Sequence, residues 1–177
     1  MSAALNYAEA LFSLSEELGI SDNVLSDLSV TVEILRKYPE YVKLMDTPAV
    51  SVPEKLSLAD AAFSSVEATV SSVVKILAEK HSVYLFPEIV KEYTALYNDS
   101  RGICHAEIVS AVELTDAHRQ RLKEKLEDMT GKTIVIKNTI DKSVLGGIKL
   151  RYLGRELDGT LKARLSSIEK SLKNTII

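Results

Sequence analysis

The sequence predicts two joined parts: an N-terminal all-α six-helix bundle over residues 1–104 and a small α/β domain over residues 105–177 with the order β-α-β-β-α. Apolar residues recur at helical spacing to about residue 100, and the period changes to two after Arg101-Gly102. Residues 1–105 contain 8 Lys or Arg against 15 Asp or Glu, whereas residues 106–177 contain 14 against 10. Net charges of −7 and +4 indicate two different contact surfaces.

The composition favours a folded protein of a reducing compartment. Of the 177 residues, 46% are apolar, enough to bury a hydrophobic core. Cys104 is the single cysteine, so no intramolecular disulfide can form. The first residues carry no basic leader, and no stretch approaches the roughly 20 apolar residues of a membrane helix. We therefore expect a soluble or peripheral protein without direct membrane insertion.

The first predicted helix, residues 3–18, is apolar over an unusually wide arc. One stripe contains Ala4, Ala8, Leu11 and Phe12, and further apolar residues widen it at Tyr7, Leu14 and Leu18. A helix that covers a core needs only one such stripe. Either this helix lies at the centre of the bundle, or a partner helix covers its extra side. Gly19 ends the helix, and Ser21 or Asp22 can cap the next one.

Five further helices complete the predicted bundle. The second spans about 22–37, and a short third contains Tyr41, Leu44 and Met45. Ser51 and Glu54 have the spacing of a capping box and open the fourth. The fifth spans about 66–80 and the sixth runs from Pro87, in its first turn, to about Ser100. Short links between these segments are typical of a bundle. Ile76 lies off the apolar stripe of the fifth helix.

The second part begins with a strand, a helix and a strand. Residues Ile103 to Val112 alternate as a strand, Asp116 to Met129 form a helix with Leu122 and Leu126 inward, and Thr133 to Ile140 form a second strand. Gly131 stands just past the end of the helix, where a left-handed residue is common. We place the boundary between the two parts near residues 101–106.

The last segment predicts a hairpin followed by a terminal helix. Ile148, Leu150 and Tyr152 fall on one face of a strand, and Leu153-Gly154 offers the turn to Arg155–Leu157. Two adjacent glycines, Gly146 and Gly147, weaken a strand unless a bulge or a close backbone requires them. Asp158 or Thr160 can cap the helix, whose apolar stripe is Leu161, Leu165, Ile168 and Leu172.

No motif in the sequence predicts catalysis, a metal or a cofactor. Gly131-Lys132-Thr133 follows a helix and lacks the first glycine of a phosphate-binding loop, so we interpret it as a helix C-terminal turn. Cys104 and His105 are neighbours in a strand and point to opposite faces. His81 and His118 stand alone, as surface or capping residues. No serine has the surroundings of an activated nucleophile.

The basic second part leaves a nucleic-acid-binding adaptor as the alternative. Its cations are Lys149, Arg151, Arg155, Lys162, Arg164, Lys170 and Lys173. Against this stands the scarcity of aromatic residues, because an RNA-reading sheet stacks bases on aromatic rings and only Tyr152 lies in these strands. An acidic protein partner fits the same charge.

Several blocks of the chain resemble the delta subunit of F-type ATP synthases, called the oligomycin-sensitivity-conferring protein in mitochondria. The C-terminal block combines Gly146 and Gly147, Gly154, the run Leu157-Asp158-Gly159-Thr160, and Arg164 with Leu165 in the last helix. The other blocks, in the order of the family, begin at Tyr7, Thr47, Leu77, Pro87 and Val109. The turn at Lys80–Val83 and the hairpin tip at Leu153-Gly154-Arg155 depart from the family pattern.

The resemblance implies a non-catalytic stator subunit on the cytoplasmic face of a bacterial inner membrane. Such a subunit links the catalytic alpha/beta head to the b subunits of the peripheral stalk, with no nucleic acid as partner. The N-terminal bundle would receive the N-terminal helix of an alpha subunit between its first and fifth helices, and the C-terminal domain would meet the b subunits. The positions that match this groove are Tyr7, Ala8, Leu11, Phe12, Val73, Ile76 and Leu77.

Overall fold

The computed structural model describes residues 2–144, 146–163 and 165 and divides the chain into two compact units, residues 1–97 and 98–177. The division therefore precedes the expected boundary at 104/105, which falls inside the first strand. That strand pairs along its length with strands of the second unit, so all of it belongs there. A helical first part and a second part with a mixed sheet agree with the predicted fold class at this level.

The first unit is built from helices. The α-helices are α1 (Ala3–Leu18), α2 (Ser21–Lys37), α3 (Pro39–Asp46), α4 (Val52–Ala62), α5 (Ala68–Glu79) and α6 (Phe86–Ser100), with a 3-10 turn at Val83–Leu85 before α6. Helix α6 continues past residue 97 into the second unit.

Local chemistry explains some of the helix ends. Gly19 ends α1 in the left-handed conformation at φ 69°. At the start of α4 the Glu54 carboxylate accepts hydrogen bonds from the Ser51 amide, at 3.2 Å, and the Ser51 hydroxyl, at 2.8 Å. The predicted cap of α2 is wrong, because Ile20 occupies the cap position and the Ser21 hydroxyl donates to Glu16 Oε1 at 2.5 Å.

The core of the first unit collects residues from all six helices. Fully buried members include Leu28 of α2, Met45 of α3, Ala59 of α4, Val74 of α5 and Ile89 of α6. Lys55 of α4 is also completely buried, and its Nζ lies 2.6 Å from Nδ1 of His81. His81 is therefore not isolated as the sequence suggested, and it takes the rare φ of 53° just after α5.

The second unit is a four-stranded mixed sheet with one described long helix. Its elements are β1 (Ile103–Ser110), α7 (Asp116–Thr130), β2 (Thr133–Ile140), β3 (Ile148–Tyr152) and β4 (Arg155–Asp158). The strand order is β2-β1-β3-β4, with β1 parallel to β2 and antiparallel to β3. The predicted order β-α-β-β-α therefore counts one strand too few, because β4 pairs with β3 as a fourth strand.

One face of this sheet packs against α7. Alternate residues of β1 are buried at Cys104, Ala106 and Ile108, where they meet Leu126 of α7 and Leu150 of β3. Strand β1 ends at Ser110, two residues before the predicted end, and Val112 is 72% exposed. Gly131 ends α7 at φ 66°, as its position in the sequence predicts.

Close packing explains the glycine pair, against backbone at Gly147 and against a side chain at Gly146. A Cβ on Gly147 would stand 2.4 Å from the carbonyl oxygen of Gly159, and one on Gly146 would stand 2.8 Å from the Leu161 side chain. The hairpin turns at Leu153 and Gly154, both at positive φ, as two-residue hairpin turns require.

The terminal helix begins where the sequence predicts it. Thr160 caps it, since its Oγ1 accepts a hydrogen bond from the Ala163 amide at 3.2 Å. Residues 161–163 and 165 are helical. Leu161 and Leu165 are 49% and 63% exposed. Arg164, Ile168 and Leu172, which the prediction also used, lie outside the described residues.

Candidate docking sites

The seven candidate groove residues on α1 and α5 differ in how much surface they leave free. Three are core residues, Ala8 and Leu77 at 0% exposure and Leu11 at 3%, so they cannot touch a partner from where they stand. Tyr7, Phe12 and Val73 are partly buried and pack against the core. Ile76 is 41% exposed. The wide apolar arc of α1 is therefore divided between the core and the surface.

Phe12 and Tyr7 lie on opposite flanks of α1. Five residues along an α-helix correspond to about 140° around its axis. Phe12 faces α6, where its ring meets the edge of the Tyr93 ring at a centroid distance of 5.7 Å. The other flank carries Tyr7, Leu14 and Leu18, and the last two are 43% and 57% exposed. The free apolar surface of α1 therefore follows Tyr7, and Phe12 belongs to the packing of α1 on α6.

Helix α5 also has a partly exposed apolar flank. It packs against both α1 and α4. On the α4 side, Lys75 forms an ion pair with Asp60. Val73 and Ile76 lie on another side, because one residue along a helix corresponds to about 100° of rotation. Sequence reasoning selected Val73 and Ile76 for the groove but left out Leu14 and Leu18, although they follow Tyr7 by about two and three helical turns and so lie on the same flank.

A buried hydrogen-bond network holds α1 in place beneath this surface. Tyr93 is completely buried, and its hydroxyl lies 2.7 Å from Ser15 Oγ and donates to the Ser21 carbonyl at 3.3 Å. The Ser15 hydroxyl donates to the Phe12 carbonyl at 2.9 Å. Burial raises the pKa of the Tyr93 phenol, so it stays protonated at neutral pH. The network fixes the rotation of α1 and hence the direction of Tyr7.

The second unit has an open trough of its own, between α7 and the residues that follow β1. Its volume is about 500 Å³. The apolar part of its lining consists of Ala111, Val112, Leu114, Leu122 and Ile148. The glycine pair at 146–147 also lines it. We call this the α7 trough.

Three basic side chains of α7 line the same trough. His118, Arg121 and Lys125 are all exposed, and no described lining residue is acidic. Within the described part of the chain, Arg121 and Lys125 form neither an ion pair nor a hydrogen bond. His118 Nδ1 lies 2.9 Å from Thr115 Oγ1, at the start of α7. Sequence reasoning missed this site, although cations at i and i+4 beside Leu122 signal it.

Two basic residues of the hairpin, Lys149 and Arg151, are by contrast paired with an acid. Glu156 of β4 accepts hydrogen bonds from Lys149 at 2.7 Å and from Arg151 at 2.6 Å. These two cations hold the pKa of the Glu156 carboxyl below its ordinary value. Tyr152 is 6% exposed and offers no ring face for base stacking.

The described residues contain no cluster suited to a metal. No group of three or more His, Cys, Asp or Glu side chains is gathered there in a way that could hold an ion. Cys104 is 3% exposed, whereas His105 is exposed on the other face of β1. Lys132, from the supposed phosphate loop, forms an ion pair with Asp99. Among the same residues, no helix is both long and apolar enough to cross a bilayer.

The sequence matches one protein family across both units. Residues 3–172 correspond to the family described as ATP synthase delta (OSCP) subunit. The chain belongs to this family. Its members are structural, non-catalytic subunits of the ATP synthase, which agrees with the absence of catalytic motifs in the sequence.

Individual relatives agree over nearly their whole length. The chain is 32% identical to the ATP synthase subunit delta of Priestia megaterium over 170 residues, which cover 96% of this chain and 94% of the relative. It is 30% identical to the subunit delta of Clostridioides difficile, with 98% and 97% covered. It also resembles a chain of the Toxoplasma gondii mitochondrial ATP synthase hexamer, with a TM-score of 0.74, 19% identity, and 97% and 98% covered. That last likeness shows the fold.

Proposed function

We propose that this delta-family subunit is a link of the stator, joining the catalytic alpha/beta head to the b-subunit peripheral stalk. The observation that carries the proposal is the family match over residues 3–172, which includes both compact units. A chain with two units of opposite net charge has the means to hold two partners at once.

The first unit is the part that holds the head. In this proposal its helices form a six-helix bundle, and the N-terminal helix of an alpha subunit lies between α1 and α5. Tyr7, Val73 and Ile76 are its contacts, because they keep apolar surface outside the core. Leu14 and Leu18 extend the contact along α1. The buried Ala8, Leu11 and Leu77 shape the floor from below, and Phe12 sets the packing of α1 on α6.

The binding mode is an amphipathic helix in an apolar groove. Such a partner inserts apolar side chains along one face, and α1 presents apolar side chains along one flank at Tyr7, Leu14 and Leu18, two turns and then one turn apart. The second unit meets the b subunits, so the two contacts lie on separate units of the chain.

The mechanism is mechanical. When the rotor turns, the head experiences an opposing torque and turns with it unless a second connection holds it to the membrane part. This chain is one link of that connection, on the cytoplasmic face of a bacterial inner membrane, during proton- or sodium-driven ATP synthesis. A connection under load requires slow dissociation. A nanomolar link corresponds to about −12 kcal/mol, within the reach of an ordinary apolar interface.

A bridging experiment tests the proposal. The purified alpha/beta head is immobilised and incubated with the soluble part of the b subunits, with and without this chain. We expect b to be retained only when the chain is present, and the chain to be retained by the head alone. Binding of the chain to neither partner, or retention of b regardless of the chain, overturns the stator assignment.

A further inference from the structure

The α7 trough combines two features that specify a ligand. Its floor is apolar, with Val112 72% exposed beside the half-buried Leu114, Leu122 and Ile148. Its rim on α7 carries the cations Arg121 and Lys125, which have no acidic partner within the described part of the chain. An apolar floor selects an aliphatic surface, and a rim of one sign selects the opposite charge.

The exposed face of α7 along the trough and beyond it has the length of a short helix contact. His118, Leu122 and Lys125 lie at i, i+4 and i+7 on α7, and Met129 continues this face with 61% of its surface exposed. From residue 118 to residue 129 the helix rises about 16 Å, which corresponds to about three turns of a partner helix.

Nucleic acid fits this trough less well than protein does. None of the described lining residues is Phe, Tyr or Trp, so only the His118 ring and the Arg121 guanidinium could stack on a base. Phosphates do not bury aliphatic surface, and the exposed valine, leucine and methionine would remain uncovered. An acidic, amphipathic α-helix satisfies both the floor and the rim.

We propose that the α7 trough is the docking site for an acidic amphipathic helix of the peripheral stalk. Aliphatic side chains of that helix cover Val112, Leu122 and Met129, and its Asp or Glu side chains face Arg121 and Lys125. The proposal rests on the proposed function and adds to it the surface and the chemistry of the recognised segment.

The test measures binding of the full-length chain to the soluble part of the b subunits by isothermal titration calorimetry. The charge-reversal variant carries Arg121→Glu and Lys125→Glu, and the apolar variant carries Val112→Asp. All three positions are exposed, so we expect the variants to keep the melting temperature of the native chain. Lys137→Glu on β2 is the matched control, since Lys137 is exposed and does not line the α7 trough.

We expect Kd to rise at least about 10-fold for both trough variants and less than about twofold for the control. Adding salt weakens the native complex and does not weaken the charge-reversal variant, because salt screens the repulsion between its glutamates and the acidic helix. Hydrogen exchange of the native chain slows over residues 111–129 when b is bound. This measurement locates the contact without any substitution.

The results distinguish a wrong trough assignment from a wrong proposed function. If the native chain binds b and bridges it to the head, but the trough variants bind equally well and exchange over 111–129 is unchanged, only the trough assignment is wrong. If the native chain fails to bind b at all, the stator function and the trough assignment both fall. Binding of single-stranded RNA or self-association of this chain, lost in the trough variants while binding to b persists, also overturns the proposed occupant.

Discussion

Replacing Ile76 is the sharpest test of the α1/α5 surface, because this side chain is exposed in the free chain. Burial of a whole isoleucine side chain contributes about 1.5–3 kcal/mol. With 41% of Ile76 exposed, a partner helix that covers it completely gains about 1 kcal/mol. Ile76→Ala should therefore raise Kd about fivefold. Ile76→Asp also brings a carboxylate out of water at a cost of several kcal/mol and should raise Kd at least about 100-fold.

The assay is fluorescence anisotropy with a labelled peptide of the alpha-subunit N-terminal helix. Val30→Asp is the control, since Val30 is 49% exposed on α2, on the side away from the core. Both aspartate variants should melt within about 3 °C of the native chain, because substitutions at exposed positions change stability little. If Ile76→Asp binds the peptide within twofold of the native chain, the alpha helix does not lie on this part of α5.

Three further predictions concern stability. Thr31→Val should raise the free energy of unfolding of the first unit by about 1 kcal/mol, because the buried Thr31 hydroxyl has no hydrogen-bond partner. Thr94→Val is the control and should bring no gain, because the Thr94 hydroxyl donates to a carbonyl at 2.7 Å. Urea titrations of both variants measure the two free energies. Gly147→Ala should destabilise the second unit by about 3 kcal/mol or more, since the new Cβ meets a backbone oxygen. Gly154→Ala has open space around its Cβ and should cost about 1 kcal/mol because of its positive φ. Equal melting temperatures for the two variants would contradict the packing argument. Glu156→Gln should destabilise the second unit at pH 7 and leave its stability unchanged near pH 2. The lowered pKa of Glu156 contributes stability above the unfolded pKa of about 4.3, and this stability disappears as the pH falls through the folded pKa. If the native chain and Glu156→Gln still differ in stability near pH 2, the ion pair is not the cause.

Elements that depend on local chemistry could be predicted from the sequence. Gly19 and Gly131 end their helices because glycine enters the left-handed region without strain, and both helix ends were predicted. The alternation in Ile148, Leu150 and Tyr152 likewise identified β3 and its buried face. Each of these signals spans only a few residues and requires no knowledge of distant parts of the chain.

Properties that depend on packing could not be predicted in this way. An apolar residue in a helix gives the same sequence pattern whether the core covers it, as for Leu11, or leaves it partly exposed, as for Ile76. Which flank of α1 is free depends on the contact of Phe12 with Tyr93, 81 residues further along the chain. The division of the groove residues between floor and surface, and the prediction that they bind an alpha helix, therefore required more than periodicity.

Strand β1 pairs with β3, which comes much later in the chain, so the sheet of the second unit is incomplete until β3 has been synthesised. β1 is complete at Ser110, yet its register includes Ala106 opposite Tyr152, so one of its edges stays open until β3 has been made. An open strand edge can recruit strands of other chains. A product of translation that stops after β2 therefore exposes amide and carbonyl groups for aggregation or proteolysis. A synthase assembled without a full-length copy would lack this link of its stator.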